Sequence, residues 1–362
     1  MESLFLPNYT IGSDAYNYID DICKNYGSNA VIISGKKSLN ASRDILLKSL
    51  KNINVTAEIY YGGVASYENV EMLKNIKEIK EADMVFAVGG GRCVDTVKTL
   101  CDMINKPLFT FPTLASNCAA VTSLSVMYNS DDSYKNLYTQ KRPAIHTFIN
   151  TDIILNSPER YFIAGMGDAL SKQYETLFST RNEVFDYKNF LGYEIIKECS
   201  NDIIKYSLKA FNDFKNKKPT DDFNRVVLHI VYTTGLTSVT MRDDYHISLP
   251  HAVYNGLTRI KEIGEKFFHG ELVAYGILLL LTMDKKFDEL EKVFNFNKSL
   301  SLPTSIKAIG IKDISLENEE LSKVLEGAYV SKDLEVSPYP ITKDMIINAM
   351  LELEEYNIKK AL

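Results

Sequence analysis

The stretch Met84-Val85-Phe86-Ala87-Val88-Gly89-Gly90-Gly91-Arg92-Cys93-Val94-Asp95-Thr96-Val97-Lys98 decides how the chain is read. It begins as an apolar run of strand length, passes through three glycines, and continues with apolar residues at helical spacing. A buried parallel strand ending in a Gly-rich turn at a helix start is a common α/β solution for binding an anion, because the helix N-terminus presents unpaired N–H groups there. Glycine has no Cβ, so the backbone can come close to a phosphate. The spacing is neither the GxGxxG dinucleotide fingerprint nor a Walker A loop, which needs Gly-Lys-Ser/Thr. Alone, the stretch leaves open an anion or nucleotide site and a tight structural turn.

Working outward, the same alternation repeats. Segments 5–11, 29–33, 55–60 and 107–111 read as strands; 14–26, 40–52, 67–80 and 94–103 read as helices. Strands alternating with helices of this length give a parallel, Rossmann-like sheet covered on both faces, with its loops on one carboxyl edge. Segments 124–128 and 144–148 read as a β-hairpin, and Asn156-Ser157-Pro158 closes this part of the chain. Beyond it only helical patterns are found, over 164–178, 187–214, 223–236, 250–257, 270–284, 287–295, 303–309, 318–331 and 343–361. The expected architecture is α/β followed by all-α: a sheet domain over 1–158 and a helical domain over 159–362.

The 362 residues suffice for two such domains. A formal net charge of -6 points away from a nucleic-acid surface or a polybasic membrane face. The apolar run around 277–281 is far short of a membrane span, and the N-terminus shows no secretory pattern. Cys23, Cys93, Cys101, Cys118 and Cys199 are odd in number and lack Cys-x-x-Cys spacing, which fits a reducing, cytoplasmic setting.

Of the five histidines, His251 opens a helical segment after Pro250, and His269 precedes Gly270-Glu271 at the start of another. Asp168 is a lone acid in the small, apolar run Ala164-Gly165-Met166-Gly167-Asp168-Ala169-Leu170. Each has an ordinary role available, as a helix cap or a solvated side chain. Together they make an Asp-His-His set that leaves a metal position open for substrate. A divalent ion there polarises an alcohol or carbonyl oxygen.

These motifs, in this order, resemble the glycerol dehydrogenases of the iron-containing (group III) alcohol dehydrogenase and dehydroquinate-synthase-like superfamily. The resemblance rests on Gly89-Gly90-Gly91 with Asp95-Thr96 and Lys98, Pro112-Thr113 with Ala115-Ser116, and Leu124-Ser125-Val126 with Tyr128. It continues through Ser157-Pro158-Glu159-Arg160, Gly165-Met166-Gly167-Asp168, His251-Ala252-Val253 with Asn255-Gly256-Leu257, and His269-Gly270-Glu271. It implies that Asp168, His251 and His269 bind zinc, or alternatively iron or manganese, and carry catalysis through the metal. It further implies that Gly89, Gly90 and Gly91 wrap the pyrophosphate of NAD or NADP, that Asp95, Thr113, Ser116, Ser123, Ser125 and Tyr128 line the cofactor path between the domains, and that the chain is a homo-oligomer, from dimer to octamer.

The departures bear on specificity. Where the family usually holds the adenosine ribose with an aspartate, this chain has Gly35 followed by Lys36 and Lys37, which leaves NADP open. Cys118 stands in place of an aspartate near the polyol, and Tyr254 in place of a further histidine. Arg242 and His246 precede His251 in an unusually polar run, where either could bind a carboxylate or phosphate. The implied activity is hydride transfer between a nicotinamide and glycerol, a related vicinal diol or polyol, or a hydroxycarbonyl compound. A polyol-phosphate dehydrogenase, such as one using glycerol 1-phosphate, is the alternative.

Overall fold

The computed structural model describes residues 3–315 and 317–361. Its strands are β1 (Tyr9–Gly12), β2 (Asn29–Ser34), β3 (Asn54–Tyr60), β4 (Met84–Gly89), β5 (Leu108–Pro112), β6 (Leu124–Tyr128), β7 (Tyr134–Thr139) and β8 (His146–Asn150). Six of them form one sheet in the order β1-β8-β5-β4-β2-β3, with every neighbouring pair parallel. Among the described residues no strand follows Asn150.

β4, the strand of the opening stretch, is buried along its whole length. Alternate residues of a strand face opposite sides. Met84, Phe86 and Val88 therefore join one core with Ile32, Phe109, Phe111 and Phe148, while Val85 and Ala87 join another with Val31, Ile33, Val97 and Leu100. On the first face the Phe111 and Phe148 rings stack at 5.1 Å. The sheet order reverses between β2 and β4, so the loops after these two strands flank a crevice at the carboxyl edge.

The hairpin has a different second strand from the one expected. β6 pairs antiparallel with β7, whereas the 144–148 segment contributes to β8, which lies between β1 and β5 in the main sheet. β7 is mostly exposed and carries a weak apolar signal; β8 is wholly buried and reads as a strand wherever it pairs. Some long helices are interrupted. The 67–80 pattern splits into Tyr67–Lys74 and Lys77–Glu81, the 187–214 pattern into Tyr187–Ile196 and Cys199–Lys215, and a π-helical turn, His229–Thr233, interrupts the 223–236 pattern.

The chain divides into two compact units. One runs to Glu159 and also takes in Asn212–Val239; the other comprises Arg160–Phe211 and the chain from Thr240 onward. The sequence suggests a single break near 158 and does not suggest the return of 212–239 to the sheet. That segment is tied there by specific contacts. Tyr232 donates to the Pro7 carbonyl at 3.0 Å and its ring lies 4.3 Å from Tyr9, while Lys217 donates to the Leu155 carbonyl. No described helix is long and apolar enough to cross a membrane.

His146 offers a test of the sheet's packing. Its ring is 8% exposed on β8, lies 4.6 Å from Phe148, and has Nε2 2.8 Å from Thr10 Oγ1. Burial holds its pKa down at about 4. As pH falls through about 6.5 the unfolded chain takes up the proton first, so stability is intact above that pH and is lost towards pH 4. Between pH 7 and 5 the loss from this group is about 2 kcal/mol. Urea unfolding at both pH values should show that excess over a His146→Asn chain; equal losses in the two chains would count against the burial.

Candidate functional site

The helical unit brings Asp168, His251 and His269 together from three helices. Each offers a ligand atom, and these atoms lie within 4.8 Å of one another. His269 Nε2 is 3.1 Å and His251 Nε2 4.0 Å from Asp168 Oδ1. Asp168 lies mid-way along Glu159–Ser179, His251 follows Pro250 at the start of Leu249–Leu257, and His269 is the first residue of His269–Met283.

Close helix approach creates this cluster. A Cβ on Gly270 would lie 1.9 Å from the Ala164 carbonyl oxygen and 3.0 Å from Asp168 N, so only glycine lets the start of the His269–Met283 helix press against the helix of Asp168. A Cβ on Gly276 would likewise lie 2.5 Å from Pro250 Cα, where the same helix meets the one carrying His251. Arg160 fixes the turn at His269. It donates from Nε and Nη2 to the two Glu271 oxygens at 2.7 and 2.6 Å, and Glu271 accepts the Phe268 N–H at 2.8 Å.

Glu175 is the functional residue that sequence reading missed. It is fully buried, and its carboxylate accepts from Ser248 N at 2.8 Å and His251 N at 3.3 Å, and faces His251 Nδ1 at 2.8 Å. A proton held on Nδ1 by the carboxylate leaves Nε2 bare on the side of Asp168 and His269, the arrangement expected of a metal-ligating histidine. The detectable signal was the spacing of Asp168, Lys172 and Glu175, which puts three charged residues on one face of a largely buried helix. Burial pushes the Asp168 carboxyl up, but His269, His251 and Lys172 outweigh it and the net shift is downward. Burial pushes His251 down, and Glu175 with Asp168 more than reverses it. Two imidazole Nε2 atoms, one ionised carboxylate and a buried orienting carboxylate form a donor set that fits a divalent ion. His269 keeps 39% of its side chain exposed, so the set has an open side. The Tyr254 ring packs edge-on against His269 at 4.3 Å.

In the sheet unit, the Gly-rich turn sits at the reversal of strand order. Gly90 caps the Gly91–Ile104 helix in an extended conformation that any residue could adopt, so the glycines matter here for lack of bulk. Ser38 links the two loops of the crevice: its Oγ accepts from Gly35 N at 3.1 Å and donates towards the Val88 carbonyl at 3.1 Å. Thr113 N donates to the Gly89 carbonyl, and Ser116 and Ser123 are half-buried nearby in sequence. Asp95 and Ser125 are engaged internally. Asp95 Oδ1 lies 3.0 Å from Lys98 Nζ, its Oδ2 accepts Val126 N, and Ser125 Oγ donates to the Asp95 carbonyl. Lys98 also donates to Thr122 Oγ1 and the Leu124 carbonyl. This buried brace ties β6 to the helix after the glycines. Arg92 lies over the Tyr128 ring at 5.3 Å, and the half-buried Cys118 packs near Gly235.

Of the two polar residues before His251, Arg242 is engaged by both oxygens of Asp244, and His246 is 3% exposed with Nδ1 on Lys172 Nζ at 3.0 Å.

The family model described as iron-containing alcohol dehydrogenase matches residues 7–153. A glycerol dehydrogenase from Thermotoga maritima is 29% identical, with 98% of this chain and 97% of that protein covered. Hydroxycarboxylate dehydrogenase A of Escherichia coli is 28% identical, with 96% of each covered. The crystal structure of glycerol dehydrogenase from Schizosaccharomyces pombe superposes with a TM-score of 0.86 at 25% identity, covering 99% of this chain and 92% of that one. The chain thus has a parallel-sheet unit with a Gly-rich edge and a helical unit with an Asp-His-His set. The match to the iron-containing alcohol dehydrogenase family model falls within the sheet unit. The chain is similar to glycerol dehydrogenases along nearly its whole length.

Proposed function

We propose that this chain is a metal-dependent, NAD-linked oxidoreductase that transfers hydride between a nicotinamide and glycerol or a related polyol or vicinal diol. The observation that carries the reading is the convergence of Asp168, His251 and His269, with Glu175 behind His251. The full-length similarity to glycerol dehydrogenases supports it. A divalent ion held by Asp168, His251 and His269 would supply Lewis acidity to a substrate oxygen. The chain's own residues do the rest. Glu175 holds the His251 tautomer, Arg160 and Glu271 hold the His269 turn, and the Gly89–Gly91 turn at a helix N-terminus would receive the cofactor's pyrophosphate. No observation favours a phosphorylated substrate. The test is a panel of glycerol, propanediols, sugar alcohols and their phosphates, assayed with added zinc, iron(II) or manganese. Turnover of polyols supports the reading; turnover of phosphates alone contradicts it.

We also propose that NADP is accepted. The Lys36–Ser49 helix has no acidic residue in its first turn, and Lys36 Nζ lies 5.1 Å from the Tyr60 ring at the end of β3. Nothing there repels a 2′-phosphate, and Lys36 and Lys37 favour one. The kcat/KM values with NADP and NAD should agree within about tenfold. An NAD preference of about a thousandfold would remove this proposal.

A further inference from the structure

We propose that Lys172, His246 and Asp243 form a proton exit path from the substrate hydroxyl to solvent. The proposal rests on the oxidoreductase reading above. Lys172 stands one helical turn beyond Asp168 on the same helix face, and is 9% exposed. An ammonium only donates, so the contact of 3.0 Å from Lys172 Nζ to His246 Nδ1 assigns the ring proton to Nε2. His246 Nε2 is buried and has no hydrogen-bond partner among the described residues. A buried polar atom left in this way is uncommon. Asp243 Oδ1 lies 3.8 Å from it, on a side chain that is 48% exposed. A buried cation, a buried imidazole and a half-exposed carboxylate thus run in sequence from the metal-ligand helix to solvent.

Alcohol oxidation breaks one C–H and one O–H bond and forms a C=O bond. The hydride reduces the nicotinamide, and the hydroxyl proton must leave. On this path Lys172 passes a proton to His246 Nδ1 while the Nε2 proton moves to Asp243 and then to water. The neutral Lys172 amine takes the hydroxyl proton, and the imidazole regains its starting tautomer by exchange with water, losing the Nδ1 proton and gaining one at Nε2. Carbonyl reduction runs the same steps backwards. The charged groups acting on the path are Asp168 and Glu175 from the helix of Lys172, His251 from the next helix, and Asp244 and Lys188 beside Asp243. Burial first, and then Lys172, keep His246 well below its usual pKa, so the ring is neutral at rest.

Two measurements on the full chain test the path. Nitrogen NMR of His246 should show the Nε2–H tautomer; an Nδ1–H tautomer would overturn the path without reference to activity. Stopped-flow mixing with a pH-indicator dye should show proton release keeping pace with nicotinamide reduction in the wild-type protein. In His246→Gly the release should be about tenfold slower or more and be restored by added imidazole, with bound metal unchanged. Asp243→Asn, altered at the half-exposed end, should give the same lag. Undelayed proton release in both variants, or loss of bound metal from both, would reject the relay alone. No nicotinamide reduction by the wild-type protein with any alcohol would reject the function on which it rests.

Discussion

His269→Ala should lose bound metal to below about a tenth of the wild-type content, and kcat/KM for glycerol should fall about a thousandfold or more. Three protein ligands are the usual complement of an open metal site, and removing one leaves a pair that cannot hold the ion against solvent. In this chain the loss is sharper, because His269 Nε2 is the closest histidine nitrogen to Asp168, at 3.1 Å. Unfolding of the two proteins, both stripped of metal, should barely differ. The His269 side chain is 39% exposed, and the helix start is held independently by Glu271 and Arg160. Metal analysis and thermal unfolding of the same preparation separate the two effects. Wild-type metal content in the variant would contradict the assignment.

Glu175→Gln should weaken metal binding about 10- to 100-fold while the three ligands remain in place. The carboxylate now accepts from two backbone N–H groups and holds the proton of His251 Nδ1. An amide has one acceptor oxygen and presents N–H donors on its other side. The imidazole is then free to take the other tautomer, which places a proton where the ion should sit. Competition with a chelator measures the effect directly. The ligand triad seen alone predicts almost no change, so an unaltered affinity would show that Glu175 is merely structural.

The outcome at Glu175 also bears on what a sequence can reveal. The strand, glycine turn and helix at 84–98 were legible because burial and period agree in one short stretch. Asp168 and His269 were picked out beside a glycine and His251 after Pro250, and the resemblance joined the three; the structure brings their ligand atoms within 4.8 Å. Glu175 was missed: its spacing from Asp168 and Lys172 puts it on their helix face, but the partners that give it a role lie far along the chain, at Ser248 and His251. The resemblance gives Asp95 a place on the cofactor path, and in the structure Lys98 and Val126 engage its carboxylate inside the unit. The second hairpin strand and the return of Asn212–Val239 to the sheet unit were hidden for one reason: strand pairing and helix docking are long-range choices that local periodicity does not encode.

The most direct test is to strip the protein with a chelator and titrate zinc, iron(II) and manganese back while following NAD reduction by glycerol. With Asp168, His251 and His269 as a single site, stripped protein is inactive and at least one of the metals restores the rate to a plateau at about one equivalent per chain. Full activity in the stripped protein, unaffected by any metal, would contradict the central claim.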